Sequence, residues 1–310
     1  MTIMAKTQYE LVNLDSSAAV QKCYINRMEE GIGYGYALQF IGDDVRISRG
    51  PIEDEEIDFS NNDYMTLANF GHCQSLDYYM YNGTPYFWIN LNGKLTTSDT
   101  RWATQVGRIR YQGGSTINSY TDVTRLVWLD HASASGSDIG TLKRVESAVS
   151  DDFKNMLVMA ISTPDDMVQF THYNFQPLNG ILDNIESEGK KFIKCNDAQI
   201  KRLATSHSLE ELSTFLPTDQ SVQGIALSNA NSIYISSGTR DDTGLRDTLI
   251  GKMYWDGTDF DQTPILNNDW TQSLTEIENL QIFGDELYIT VTQHQSPNES
   301  YVYRVDKSDF

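Results

Sequence analysis

Apolar and polar residues alternate in short runs over most of this chain. Segments such as Tyr34-Gly35-Tyr36-Ala37-Leu38-Gln39-Phe40 and Ser232-Ile233-Tyr234-Ile235-Ser236-Ser237 are rich in aromatic and β-branched residues, the composition of strands packed into sheets. Asn82-Gly83, Asn92-Gly93, Asp256-Gly257 and Phe283-Gly284-Asp285 punctuate the pattern and are read as hairpin turns, because Asn, Asp and Gly tolerate positive φ. The expected fold class is all-β.

A weak unit recurs within the pattern: an apolar residue, Gln or Glu, a variable residue, then an apolar one. Its copies are Val20-Gln21-Lys22-Cys23, Cys73-Gln74-Ser75-Leu76, Val145-Glu146-Ser147-Ala148, Val222-Gln223-Gly224-Ile225 and Ile277-Glu278-Asn279-Leu280. A second strand follows each, opening near Gly33, Thr84, Asn155, Asn231 and Asp285. Third strands are expected at Asp44 to Ser48, Ala103 to Tyr111, Met167 to Phe175, Leu249 to Trp255 and Tyr301 to Val305. Fourth strands are expected near Glu55 to Phe59, Val123 to Leu129 and Thr263 to Leu266. The units recur at intervals of roughly 50 to 80 residues, which four-stranded propeller blades reach when their loops are long.

The expected architecture is therefore a five-bladed β-propeller in a single domain, 1–310. Its blades span about 18–60, 71–130, 144–206, 221–267 and 276–310 plus 7–14. The N-terminal strand Gln8 to Leu14 completes the last blade and leaves no bare sheet edge at the closure. From Gly180 to Pro217 the pattern turns helical, and Ser208-Leu209-Glu210-Glu211 has the form of a capping box ahead of Leu212, Phe215 and Leu216. This stretch is expected as a partly helical insertion, with an outer strand near Phe192 to Lys194 or Ile200 to Ala204.

The first strand of a propeller blade lines the central channel, so Gln21, Gln74, Glu146, Gln223 and Glu278 are expected to form one polar ring. His72 and Arg144 lie two residues before Gln74 and Glu146 and share their strand face. The plainer role of such a ring is to hydrogen-bond neighbouring blades and buried water. Its functional role is a polar ligand-binding well. Glu146 and Glu278 also raise glycoside hydrolysis, which uses paired carboxylates, but Gln at the three equivalent positions gives that reading little support. No catalytic residue is assigned.

Composition changes this picture in one respect. With 43 Asp+Glu against 23 Lys+Arg the formal charge is −20, which excludes a phosphate-tracking nucleic-acid binder and opposes adsorption to anionic lipid. No apolar run is long enough for a transmembrane helix. The N-terminus MTIMAKTQYELVNLDSS lacks the apolar stretch of a secretory signal peptide, so export by a non-classical route is expected. Cys23, Cys73 and Cys195 are widely spaced and are read as idle, buried thiols. Five histidines, His72, His131, His172, His207 and His294, show no ligand spacing, so no metal or other cofactor is expected.

Asp256 to Asp261 is acidic but departs from calcium-loop spacing and is read as a hairpin turn. Glu53 to Glu56 is read as a solvated outer edge. Trp88, Trp128 and Trp255 are expected to pack between blades, whereas Trp102, Trp270, Tyr79 and Tyr81 lie nearer turns and are candidates for stacking on sugar rings.

The repeats also resemble the helveticin family, the large heat-labile bacteriocins of lactobacilli. The resemblance rests on Arg144 to Ser150 with the strand through Ile161, Ser221 to Leu227 leading to Asn231 to Ser237, and Glu276 to Ile282 leading to Leu287 to Val291. Gly71-His72-Cys73-Gln74 and Tyr34 to Phe40 are similar too, while 180–217 matches poorly. The resemblance implies a secreted antibacterial protein without enzymatic cofactor. Its partner would be a cell-surface component of related bacteria, with a wall polysaccharide as the favoured ligand class and a non-lethal, lectin-like adhesin as the alternative. The family supplies no active-site residues to carry over.

Overall fold

The computed structural model describes residues 2–26, 33–95, 100–217, 220–238, 248–256, 260–271 and 273–310. Within them the chain runs through five antiparallel meanders. The first comprises Val20–Asn26, Tyr34–Ile41, Asp44–Glu53 and Tyr64–Leu67. The second comprises Leu76–Tyr81, Thr84–Leu95, Arg101–Ile109 and Thr124–Val127. The third runs Thr141–Val149, Asn155–Thr163 and Met167–Asn174, with Ala204–Ser206 and Glu210–Glu211 sharing its outer edge. The fourth is Val222–Leu227, Ile233–Ser237, Leu249–Met253 and Phe260–Leu266. The fifth is Thr275–Phe283, Glu286–Gln293 and Glu299–Asp306, completed by the N-terminal strand Lys6–Val12.

The first strands of the five meanders touch one another in cyclic order, the fifth returning to the first. Five apolar clusters fill the gaps between consecutive meanders: Leu38 and Ile47 against Leu76 and Phe87, Trp88 and Val106 against Val145 and Val158, Leu157 and Phe170 against Ile225 and Ile235. Tyr234 and Ile250 meet Leu280 and Ile289, and Tyr288 and Val302 meet Cys23 and Ala37. Each sheet thus buries both faces against its neighbours, which is why an inner strand such as Val222–Leu227 is buried at every position rather than alternating. The fold is mostly β and propeller-like.

Hydrogen bonding does not divide it into the five separate sheets expected. Glu56–Asp58 pairs with the end of Asp44–Glu53 on one side and lies parallel to Lys6–Val12 on the other, so the first and fifth meanders join in one ten-stranded sheet. The acidic run Glu53 to Glu56 is therefore part of a bridge, with Ile57 fully buried as its anchor. The outer strand of the first meander is Tyr64–Leu67 instead of Glu55 to Phe59. Ile3–Met4 adds a parallel edge to Phe260–Leu266, so the N-terminal segment ties the fourth meander to the fifth.

Asn92-Gly93 is not a turn. It kinks the interior of Thr84–Leu95 with Asn92 at φ 63°. A Cβ on Gly71 would lie 2.2 Å from the Gly93 Cα, so only paired glycines permit this approach. The contact fixes the chain ahead of the second inner strand: Gly93 N–H donates to Phe70 O at 2.8 Å and His72 N–H to Arg101 O at 2.8 Å.

The insertion contains the helix Phe175–Ser187, which opens five residues before the expected boundary and buries Phe175, Leu178, Asn179, Leu182 and Ile185. It docks on the second meander, where Arg108 reaches Asp183 at 2.6 Å and Glu186 at 3.0 Å. Phe192–Lys194 extends the second sheet, not the third. Ser208 to Glu211 caps no α-helix: Glu210–Glu211 pairs with Met167–Val168, one 3-10 turn follows, and the Ser208 hydroxyl donates to Glu210 at 2.7 Å. Burial of Phe215 and Leu216 between the third and fourth meanders outweighs the local helix signal.

Candidate functional site

Three of the five recurring Gln/Glu positions fall on backbone irregularities. Register shifts fall at Gln21, Gln223 and Glu278 in the first, fourth and fifth inner strands. A bulge adds an unpaired residue and re-aims its side chain. Gln74 lies just before its strand, and in the third strand the shift falls at Lys143, so Glu146 is not the geometric equivalent of the other members. The sequence pattern gave no sign of this difference, because a bulge leaves the residue types unchanged.

The structure nonetheless brings the expected residues together. Gln74 Nε2 donates to Gln21 Oε1 at 3.3 Å and to Gln223 Oε1 at 3.1 Å, and its Oε1 accepts from Arg144 Nη2. Arg144 Nε donates to Glu146 Oε1 at 2.6 Å. Glu146 Oε2 accepts from Ser75 Oγ at 3.0 Å and Asn90 Nδ2 at 2.8 Å. On the other side, Gln223 Nε2 donates to Gly238 O at 2.5 Å and to Glu276 Oε1 at 2.6 Å. Gln21, Gln74, Arg144, Glu146, Gln223 and Glu278 are all buried. The network stitches the meanders it joins, as the plainer role of the ring requires.

Sequence reading missed Ser75, Asn90, Glu276 and His294. Glu276 and Glu278 are two apart on one strand and His294 lies just past the end of the next, beyond the Thr275↔Gln293 pair; this hairpin proximity spans residues too distant for a ligand-spacing motif. His294 Nε2 lies 2.8 Å from Glu276 Oε2 and 3.6 Å from Glu278 Oε1. Glu278 Oε1 is buried and has no hydrogen-bond partner among the described residues. Burial, followed by the charge of Glu276, raises the Glu278 carboxyl well above its ordinary pKa.

His72 joins the cluster through Trp102. The two form a bridge between segments and their rings pack at 4.6 Å, while the Arg144 guanidinium lies 3.9 Å over the Trp102 ring. Burial, and then Arg144, lowers the His72 pKa to about 4, so this imidazole is neutral near pH 7 and Arg144 supplies the local positive charge. His72, Trp102, Glu276 and His294 are only partly buried, which makes them the accessible rim of an otherwise enclosed cluster.

Other candidates resolve differently. Trp270 and Tyr79 are buried and Tyr81 is half-buried, so of the four proposed stacking residues Trp270 and Tyr79 are withdrawn. Trp128 is 46 % exposed at φ 59°, contrary to its expected packing role, and Lys194 Nζ lies 3.6 Å over its ring. Trp88 is fully buried; Trp255 lies outside a strand and packs on His172 at 4.3 Å. The three cysteines are buried free thiols, with Cys195 pushed up to about 12 by burial. Part of the Asp256 to Asp261 turn, 257–259, lies outside the described residues. Among the described residues no helix is long and apolar enough to cross a membrane.

Fold and site together define a propeller-like, mostly β protein with an enclosed polar cluster where its inner strands meet and a rim of Trp, His and Glu at one end. The profile of the bacteriocin helveticin-J family matches residues 2–308, and the chain belongs to that family. A search of curated protein sequences finds no match. Solved structures do match. The tail fibre of Staphylococcus aureus phage P68 superposes with a TM-score of 0.60 at 12 % identity, covering 98 % of this chain and 52 % of the fibre. An exo-β-1,3-galactanase from Clostridium thermocellum gives 0.50 at 9 % identity, over 96 % of this chain and 61 % of that one. A GH43 β-1,3-galactosidase gives 0.50 at 10 % identity, over 97 % and 95 %. The chain thus spans about half the length of the tail fibre and three-fifths of the galactanase. At these identities the likeness is one of fold.

Proposed function

We propose that this chain is a five-bladed propeller that binds a component of the bacterial envelope, a wall glycan, at the rim formed by Trp102, His72, Glu276 and His294, and that it acts outside the producing cell as a bacteriocin-like antibacterial protein. The observation that carries the binding site is the partly exposed Trp102 ring, held by the buried Arg144 at 3.9 Å beside a cluster of amide and carboxylate groups. An indole beside polar donors and acceptors is the arrangement that sugar recognition uses, apolar ring face against indole and hydroxyls against the polar groups. Membership of the helveticin-J family supports the antibacterial part. The charge of −20 favours a specific surface ligand over adsorption to anionic lipid.

Glycoside hydrolysis by Glu146 and Glu278 has less support. Both oxygens of Glu146 are engaged, one by Arg144 and the other by Ser75 and Asn90, and the residue is buried. The test is a growth-inhibition assay against related bacteria with purified protein, run with binding to isolated walls and a glycan array. Binding with loss of viability supports the proposal; binding with full viability leaves a lectin-like adhesin; neither binding nor inhibition overturns it. Release of reducing ends that Glu146→Gln and Glu278→Gln abolish would replace it with the hydrolase.

A further inference from the structure

The acidic end of the cluster has the makings of a cation site. Glu276, Glu278 and His294 each offer one donor atom, and these three atoms lie within 4.8 Å of one another. We propose that these residues bind a divalent transition-metal cation, with Zn²⁺ the best fit. His294 Nε2 stands 2.8 Å from Glu276 Oε2 and 3.6 Å from Glu278 Oε1. These spacings straddle the ligand–ligand edge of about 3.3 Å that follows from tetrahedral bonds of 2.0–2.1 Å.

The independent pointer is Glu278. Its side chain is 3 % exposed, and Oε1 faces the His294 ring without a hydrogen-bond donor among the described residues. An unsatisfied buried carboxylate oxygen is costly, and a cation bound beside it removes that cost. Orientation is supplied from the next meander: the second oxygen of Glu276 accepts from Gln223 Nε2 at 2.6 Å, and Gln223 is fixed in turn by Gly238 O. Outer partners of this kind hold metal ligands in place. An imidazole with two carboxylates is a mixed N/O set that suits Zn²⁺, whereas Ca²⁺ and Mg²⁺ take oxygen ligands. Three protein ligands would leave a fourth position for water or a ligand hydroxyl.

This inference does not depend on the glycan reading, because it is tested on the protein alone. Full-length protein treated with chelator is titrated with ZnCl₂ by calorimetry, with CaCl₂ as comparison, and its metal content is measured after dialysis. The expected result is stoichiometric Zn²⁺ uptake, weaker Ca²⁺ binding, and a loss of more than about tenfold in Zn²⁺ affinity in both His294→Ala and Glu276→Gln. Both positions are partly exposed, so the variants are expected to keep the wild-type circular dichroism. Asp138→Asn, in the separate Asp130–His131–Asp138 group, should leave the titration unchanged. Absence of stoichiometric uptake, uptake indifferent to His294→Ala and Glu276→Gln, or uptake lost in Asp138→Asn overturns the proposal.

Discussion

The two sides of the axial cluster use similar residues to opposite ends. On the Arg144–Glu146 side a carboxylate and a guanidinium are paired at 2.6 Å, buried, and surrounded by donors from Ser75 and Asn90. On the Glu276–Glu278–His294 side two carboxylates lie beside one imidazole, and one buried oxygen lacks a donor among the described residues. The first side is electrostatically complete and holds the second meander to the third. The second is short of positive charge and reaches the accessible rim. A ring position repeated in sequence therefore does not carry one role: the neighbours packed around Glu146 and around Glu278 decide whether the carboxylate is structural or available.

The comparison breaks first at Arg144. Arg144→Met leaves Glu146 as an uncompensated buried charge, and urea unfolding should show a loss of about 3–5 kcal/mol, with much of it restored in Arg144→Met/Glu146→Leu. If the double variant is as unstable as the single one, the pair is not the closed unit described here. Between the two sides, Gly224 lies against the fifth inner strand, where a Cβ would come within 2.6 Å of the Asn279 Cα. Gly224→Ala should therefore cost about 1–3 kcal/mol by overpacking, read from the same unfolding curves.

His72 sharpens the comparison through pH. Its folded pKa of about 4 lies below the ordinary histidine value, so below about pH 6.5 the unfolded chain binds the extra proton. Stability contributed by the neutral ring is complete above that pH and is lost as pH falls towards 4, by roughly 2 kcal/mol after allowance for partial exposure. His72→Phe should flatten this part of the stability–pH curve; an unchanged slope assigns it to other groups. The smallest effect belongs to the acidic side. In chelator-treated protein Glu278→Gln replaces a buried carboxyl whose Oε1 has no hydrogen-bond donor among the described residues, so it should shift stability by less than about 1 kcal/mol or raise it. A large loss would mean that Glu278 is already compensated.

Much of this architecture was legible in the sequence because the signals were local. The strand runs Tyr34 to Phe40 and Ser232 to Ser237 and the turn at Asn82-Gly83 follow from residue type, and the N-terminal strand was recoverable by asking what could complete the last meander. Failures occurred where tertiary contacts overrode local preference. Asn92-Gly93 became a kink because Gly71 packs on it, Glu56–Asp58 became a bridge because Ile57 buries, and Ser208 capped nothing because Phe215 and Leu216 went to the core. For the cluster, the recurring Gln/Glu positions were visible as a repeat. Glu276 and His294 were not, since their proximity depends on the hairpin register and on a bulge at Glu278.

The proposed function puts ligand contact at the rim and structural closure inside it, and its sharpest test is the binding isotherm of isolated bacterial walls for wild type, Trp102→Ala and Trp128→Ala. Trp128 is the more exposed indole but lies away from the cluster, against Lys194. The account predicts that Trp102→Ala lowers wall affinity by about tenfold or more, the scale of a buried aromatic anchor, while Trp128→Ala binds as wild type. Equal binding by Trp102→Ala and wild type, or a loss confined to Trp128→Ala, would contradict it.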